Sequence, residues 1–376
     1  MRAKVFFFPL LLLLLGGCSP TGKHQAAAKS EEGIPFTSMT DAGIDTVMIN
    51  KIDTAIRNGT YPNIHSLLIA RHGQLLYEKY WTGKDQIWGD NLGTITHAKD
   101  SLHDIRSISK SIVSACIGIA LQQGKIKSVR QKLFDFFPEY SVQDTGLKSL
   151  LTIEHLLTMS SGLIWNEDIS YDNPENSEIR MTNSPNQVEY VLSQAMEAPP
   201  GKLWKYNGGT TQLLAAIIEK TTGMKVDQFA KDYLFQPLGI TTFQWIKYPG
   251  TDLPAAASGV RLRSRDLLKF GLLYYNNGKW NDKQIIPESW VEKSFEAHVQ
   301  RPGGSYGYQF WLWRDTINNK PTPIVACVGN GDQRILFDHT HDLMVVTTAG
   351  NYNKWNIEKN VYALLKDYIY PALIKQ

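Results

Sequence analysis

Residues 106–126 read RSISKSIVSACIGIALQQGKI, and Ser107 stands three positions before Lys110 at the mouth of a long apolar helix. Were Ser107 only a helix cap, the favourable residue three places on would be Glu or Gln, closing a capping box. Lysine there has the wrong sign for the positive helix end and costs roughly a few tenths of a kcal/mol. The following stretch, with Ile112, Val113, Ala115, Cys116, Ile117, Ile119, Ala120 and Leu121, is apolar nearly all round and predicts a buried helix. Lys110 then carries its amine into or near the interior, where desolvation favours the uncharged base. At i, i+3 the two side chains share a helix face. A hydroxyl beside such a base, with backbone N–H groups free at the helix start, is the arrangement of a serine nucleophile and its oxyanion site. The S-x-x-K spacing occurs once in the 376 residues.

Such a nucleophile needs a second polar group to relay its proton, and a tyrosine near a cation suits the task. Tyr206 lies in PPGKLWKYNGG, a glycine-flanked turn entering the apolar helix of GTTQLLAAIIEKTTG. That is a place where a fixed loop residue faces a cleft. Tyr171, in the polar loop SYDNPENSE, is the alternative.

Farther out, HSLLIARHGQLLYEKYW predicts two strands around His72-Gly73-Gln74. Helical spacing dominates from 107 to about 235, returns at 264–276 and 287–297, and closes the chain at 354–369. Strand-like runs occupy 308–313, 323–328, 333–337 and 343–348. Strands at both ends bracket a helical middle, so the terminal segments join in one antiparallel sheet covered by helices, an α+β architecture. The division that follows is an α/β lobe of about 41–106 and 255–376, with a helical lobe of about 107–254 inserted and a cleft between them.

The N-terminus, MRAKVFFFPLLLLLLGGCSP, has a basic start and an apolar run from Val5 to Leu15. The run is shorter than the roughly 20 residues of a spanning helix and suits a secretory leader, residues 1–17. Gly16 and Gly17 directly before Cys18 resemble a bacterial lipobox, which implies lipidation of Cys18, a membrane anchor and a place in the cell envelope. Residues 18–40 are polar and aperiodic and read as a tether, with order beginning near Asp41. The formal charge of +3 includes Arg2 and Lys4 of the leader, and no basic stripe exists, so nucleic-acid binding is excluded. Cys116 and Cys327 sit in apolar runs and read as buried thiols. No Cys/His cluster has metal-ligand spacing, so neither a metal nor a cofactor is expected, and His339-Thr340-His341 reads as a polar turn.

The motifs taken together resemble the serine hydrolase superfamily of class C β-lactamases, D-Ala-D-Ala carboxypeptidases, related esterases and 6-aminohexanoate-dimer hydrolases. The matching segments, in the family's order over about 60–350, are RSISKSIVSACIGIALQQGKI, LFDFFPEY, TIEHLLTMSSGLIWNED, PPGKLWKYNGGTTQLLAAIIEKTTG, SGVRLRSRDLLKFGLLYYNNGKW with IIPESWV, SYGYQFWLW and GNGDQRILFDHTHDLMVV. The resemblance implies a β-lactamase/transpeptidase-like fold: a five-stranded antiparallel sheet with flanking helices plus an α-helical lobe. By position it implies Ser107 as acylated nucleophile, Lys110 as its base and Tyr206 as the assisting tyrosine.

Two departures bear on substrate. The family's second motif often carries Asn or Ser at its third position, where this chain has Gly208; Asn207 is the neighbour that would compensate. The third motif, Lys-Thr-Gly or His-Thr-Gly, aligns with Cys327-Val328-Gly329, which lacks the cation and hydroxyl that hold a β-lactam carboxylate. In that alignment the backbone N–H groups of Ser107 and Asn330 form the oxyanion hole, with Asp332 as the other donor if the register shifts. Trp165, Trp204, Tyr306 and Trp311 are candidate pocket walls or plain core residues. The expected function is hydrolysis of an ester or small amide through an acyl-enzyme. The rivals are a non-catalytic or weakly acylating peptidoglycan-related binding protein, and a β-lactamase or D-alanyl carboxypeptidase.

Overall fold

A computed structural model describes residues 30–374 of the chain, so the leader and Cys18 lie outside the described residues. The described chain opens with a small hairpin, β1 (Ser30–Glu31) and β2 (Ile34–Pro35), and then α1 (Thr46–Arg57). Strands β3 (Ile64–Arg71) and β4 (Gln74–Tyr80) are joined by His72 and Gly73, both at positive φ, the turn geometry that matches the twist of paired strands. A second hairpin, β5 (Thr82–Ile87) and β6 (Asp90–Thr96), precedes β7 (His103–Asp104), which leads into α2 (Ile108–Gln122). The helical middle holds α3 (Ile153–Leu157), α4 (Ser177–Thr182), α5 (Gln187–Ser193), α6 (Gly208–Thr222) and α7 (Val226–Ala230). Short strands β8 (Gln244–Trp245) and β9 (Val260–Leu262) bring the chain to α8 (Ser264–Tyr275). The hairpin β10 (Lys279–Trp280) and β11 (Lys283–Gln284) and helix α9 (Glu288–Phe295) follow. The last stretch is a meander of β12 (Val299–Arg301), β13 (Gly304–Tyr306), β14 (Trp311–Ile317), β15 (Lys320–Gly329), β16 (Gln333–Asp338) and β17 (Leu343–Ala349), closed by α10 (Val361–Leu364).

The two ends meet as expected. β17 pairs antiparallel with β3, Val345 opposite Ile69, and the full strand order is β12-β13-β14-β15-β16-β17-β3-β4. Both faces of this sheet are covered, which is why Leu67–Ala70 of β3 read as a continuous apolar run rather than alternating. Leu67 and Ile69 pack with Ile49, Ile52 and Leu364 on one side, while Leu68 and Ala70 join Cys116, Phe270 and Val346 on the other. α2, apolar all round, is buried between the sheet and α6.

Three expectations change. The main sheet has eight strands among the described residues rather than five, partly because the three-residue strands β12 and β13 extend its edge. The tether is shorter than 18–40: Ile34 is buried, Phe36 bridges to Leu75, and Glu31 and Glu32 pair with Arg265 and Arg263. The closing helix begins at Val361, where Asn360 caps it by accepting from the Tyr362 and Ala363 N–H groups, and not at 354. The polar stretch before it lies against the cleft instead, through Lys354, Trp355 and Ile357.

Candidate active site

α2 begins at a strained turn. Arg106 has φ 48°, a left-handed conformation that costs about 1 kcal/mol or more for a residue with a Cβ. It is held by an ion pair with Asp104 at 3.2 Å and by its guanidinium lying 4.8 Å from the Tyr352 ring centre. Ser109 Oγ stitches the turn to β9, donating to the Arg106 carbonyl at 2.6 Å and accepting from the Val260 N–H at 3.1 Å. Ser107, between them, makes no side-chain cap bond. Its Oγ instead accepts from Lys110 Nζ at 3.0 Å, and the same amine donates to the Ala257 carbonyl at 3.1 Å. Lys110 is 1% exposed. The sequence argument that the serine is not a cap and that the lysine is buried beside it holds in this geometry.

Tyr206 stands over the lysine, its ring centre 4.8 Å from Lys110 Nζ. Burial first, then the nearby Glu167, push its phenol well above the usual tyrosine range, while a hydrogen bond with Ser107 works the other way. The phenol is therefore a neutral O–H in contact with the nucleophile. Trp311 packs 5.3 Å from Tyr206 and 5.7 Å from Trp204, and these aromatics form one wall of the site. Tyr171 reaches the same cleft, donating its hydroxyl to Glu167 Oε1 at 2.8 Å.

Sequence reading missed two carboxyl groups behind this triad. Glu178, on α4, places Oε2 4.0 Å from Lys110 Nζ, and its Oε1 accepts from Ser258 Oγ at 2.9 Å. Glu167 accepts from the Gly208 N–H and from Trp165 Nε1, each at 2.7 Å. Burial and repulsion from Glu178 outweigh these donors and push Glu167 up to about 8. Burial also works to raise Glu178, but the Lys110 ammonium and bonds from Glu167 and Ser258 prevail and hold it below the usual value. At neutral pH the pair therefore shares one proton, with the charge on the member facing lysine.

The pair explains Gly208. A Cβ there would lie 2.5 Å from Glu178 Oε2, so the glutamate occupies the space that a side chain at this position would take. Asn207 does not compensate: its Oδ1 caps α6 by accepting from the Thr210 N–H at 3.1 Å, and the side chain is buried.

Two hollows meet at Ser107. One, about 340 Å³, is walled by Tyr206, Trp204, Trp311, Trp355 and the Gly329–Asp332 turn. The other, about 210 Å³, is walled by Trp88, Arg106, Glu178 and Asn353. Ser107, Tyr171 and Asn330 border both. Gly329 and Asn330 thus lie in the cleft wall, with the Asn330 side chain fixed by donating Nδ2 to Asn353 Oδ1 at 2.7 Å and accepting from the Asn353 N–H at 2.9 Å. Three other pocket candidates do not reach it. Trp165 and Tyr306 are each 1% exposed; the first packs against Gly209 and the second backs the aromatic wall behind Trp204. Cys327 points from β15 into the core, where burial pushes its thiol up to about 12. β15 brings no cation to the cleft, but β16 does, through Arg334 opposite Val328. That guanidinium is engaged, donating to the Gly329 and Gln333 carbonyls and pairing with Asp332 at 3.1 Å.

A serine, a buried lysine and a tyrosine assembled across such a cleft invite comparison with known hydrolases. The sequence profile of the family described as Beta-lactamase matches residues 63–355, most of the chain. The chain belongs to the β-lactamase family. Within this family it is 24% identical over 301 residues to the 6-aminohexanoate-dimer hydrolase of Paenarthrobacter ureafaciens, a match covering 75% of the chain and 71% of the relative. It is 26% identical to esterase EstB of Burkholderia gladioli, over 46% of the chain and 44% of that esterase. Among solved structures, EstCE1, a hydrolase with promiscuous acyltransferase activity, superposes with TM-score 0.65 at 17% identity, covering 90% of this chain and all of that one. The penicillin-binding protein of Bacillus halodurans gives TM-score 0.61 at 17% identity, over 80% and 95% of the two chains. These structural likenesses establish the β-lactamase-family fold, and the sequence relatives establish a serine hydrolase.

Proposed function

We propose that the chain hydrolyses esters or small amides through an acyl-enzyme on Ser107. The observation that carries this reading is the chain of contacts from Ser107 Oγ to Lys110 Nζ to Glu178, with Tyr206 in contact with the same hydroxyl. Ser107 Oγ attacks the substrate carbonyl carbon while its proton passes to Lys110, which reacts in its amine form and so must first release the proton of the resting ammonium. The ammonium so formed is stabilised by the Glu178 carboxylate, which plays the part that a buried aspartate plays for a catalytic imidazole. The backbone N–H groups of Ser107 and Asn330 receive the oxyanion. Tyr206 delivers a proton to the leaving alcohol or amine as the tetrahedral intermediate collapses, and the Lys110 ammonium restores it, so the proton taken from Ser107 ends on the leaving group. Water then attacks the acyl carbon, and its proton passes through the same relay to Ser107 Oγ, which departs as the hydroxyl.

Two hollows on either side of Ser107 suit a substrate with groups on both sides of its carbonyl, and the larger one is aromatic and only moderate in size. The engaged state of Arg334, together with Cys327 in the core, leaves β15 and β16 without an obvious anchor for a β-lactam carboxylate. This favours neutral esters and amides. The leader and the Gly16-Gly17-Cys18 sequence support a lipid-anchored enzyme of the bacterial cell envelope. The test is labelling with a fluorophosphonate probe. Wild type labels and Ser107→Ala does not; an unlabelled wild type would favour a non-catalytic binding protein and overturn the proposal.

A further inference from the structure

We propose that His65, Asp85, His97 and His103 form a structural zinc site at β7, the strand that leads into the nucleophile's helix. The four come from β3, β5, the residue after β6, and β7, and their ligand atoms all lie within 4.8 Å of one another. Zinc bonded at about 2.0–2.1 Å in a tetrahedron holds neighbouring ligand atoms roughly 3.3 Å apart. The close pairs here bracket that separation: His65 Nδ1 to His103 Nε2 at 2.8 Å, His103 Nε2 to Asp85 Oδ1 at 3.6 Å, and His97 Nε2 to Asp85 Oδ2 at 3.8 Å. Three imidazoles and one carboxylate, closed to a fifth group by burial, are a zinc-type donor set rather than one for magnesium or calcium.

The protons decide the argument. His103 Nδ1 lies 2.9 Å from the Asp104 carbonyl, which only accepts, so Nδ1 carries the proton and Nε2 turns a lone pair inward. His65 Nε2 lies 3.3 Å from Asn63 Oδ1. The orientation of Asn63 is fixed, because Oδ1 accepts from the Lys84 N–H at 2.8 Å while Nδ2 donates to the Lys84 carbonyl at 2.9 Å. His65 therefore also keeps its proton on the far nitrogen and turns the Nδ1 lone pair inward. Two lone pairs thus face each other at 2.8 Å, a repulsion that a metal ion bonded to both nitrogens relieves. These outer partners are also what orients metal-binding imidazoles elsewhere.

Two more observations point the same way. His97 Nε2 is buried, faces Asp85 and has no hydrogen-bond partner, its side chain being 4% exposed. Among the described residues Asp85 has no Lys or Arg partner; Tyr352 donates to Oδ1 at 3.0 Å, and its side chain is 2% exposed. A carboxylate so dry and without a cation is costly. The cradle is also built closely around His65: a Cβ on Gly83 would lie 2.4 Å from its Nε2, and one on Gly350 2.7 Å from its Cε1. The site would tie the β5–β6 hairpin to β7, which ends three residues before Ser107, and through Tyr352 to the Arg106 turn.

The experiment is zinc stoichiometry by elemental analysis on the full chain, stripped with EDTA, reloaded with Zn²⁺ and dialysed. About one zinc per chain is expected in wild type and in Ser107→Ala, and none in His97→Ala or Asp85→Asn. Should the ligand variants fail to fold, Asn63→Ala serves, with an expected loss of about 10–100-fold in zinc affinity. Cobalt loaded into wild type should give the intense visible bands of four-coordinate Co²⁺. A wild type that retains no zinc, a variant set that retains it unchanged, or the weak spectrum of six-coordinate Co²⁺ would overturn the site.

Discussion

Glu178 Oε2 lies 4.0 Å from Lys110 Nζ and in the space that a Cβ on Gly208 would enter, 2.5 Å from that same oxygen. A residue that looks like a defect in the second motif is thus the opening through which a carboxylate reaches the catalytic lysine. Glu178→Gln keeps the shape and removes the charge that balances the ammonium in the transition state. Turnover of a p-nitrophenyl ester should fall about 10²-fold with KM little changed. If kcat is unaffected, Glu178 only fills space.

Gly208→Ala tests the same relationship from the other side. The new methyl must displace the Glu178 carboxylate, because the opposing atoms belong to a fully packed site. Ester turnover should drop as in Glu178→Gln. Adding Glu178→Gln to Gly208→Ala should cost little more, because the two changes act on one group. Full additivity in this cycle would separate them.

The Tyr206 phenol is held neutral by burial and by Glu167 while it touches Ser107. Tyr206→Phe removes the proton relay but leaves the ring over Lys110. Both fluorophosphonate labelling and ester turnover should slow, by about 10² or more in rate. Labelling at the wild-type rate would confine the tyrosine to deacylation or to packing.

How much of this was legible in the sequence follows from chain separation. Ser107 and Lys110 share one helical turn, so periodicity and charge sign sufficed to place them. Glu178 and Glu167 sit in a polar loop and a short helix far along the chain, and no local pattern marks a carboxylate that tertiary packing will bury. His65, Asp85, His97 and His103 are likewise spread over four separate strand segments, with no recurring spacing. Of the two places open to Trp165, pocket wall or core, the structure gives the core: its indole donates to Glu167 from behind the cleft, and sequence cannot tell which side of that carboxyl an aromatic occupies. The helix expected over 354–369 begins only at Val361, because the stripe that packs starts with Val361, Leu364 and Leu365 while Trp355 and Ile357 line the cleft.

The substrate range follows from Arg334 and Cys327. With the guanidinium bonded to two carbonyls and to Asp332, and the thiol in the core, no fixed cation remains on β15 or β16 to hold a β-lactam carboxylate. Wild type should hydrolyse short p-nitrophenyl esters or linear amide dimers with kcat/KM at least about tenfold above nitrocefin, a difference of about 1.4 kcal/mol in transition-state binding. Efficient nitrocefin turnover would mean that another group in the cleft supplies the anchor.

The carboxyl pair also sets a pH signature in stability. Glu167 ordinarily titrates near 4.5 and is raised to about 8 in the folded protein. Between those values the native state holds a proton that the unfolded chain has lost, so this group's contribution makes the fold less stable as pH rises through that window. Glu178 is lowered and has the opposite sign, its contribution being lost only as pH falls below the usual carboxylate value. Glu167→Gln fixes the neutral state and removes the alkaline penalty. The Tm of the variant relative to wild type should therefore rise from pH 5 to about pH 8 and then level off, groups that titrate alike in both proteins cancelling in the comparison. A difference that stays flat across this range would show that Glu167 carries no proton in the native protein, and the shared-proton account of the site would fall with it.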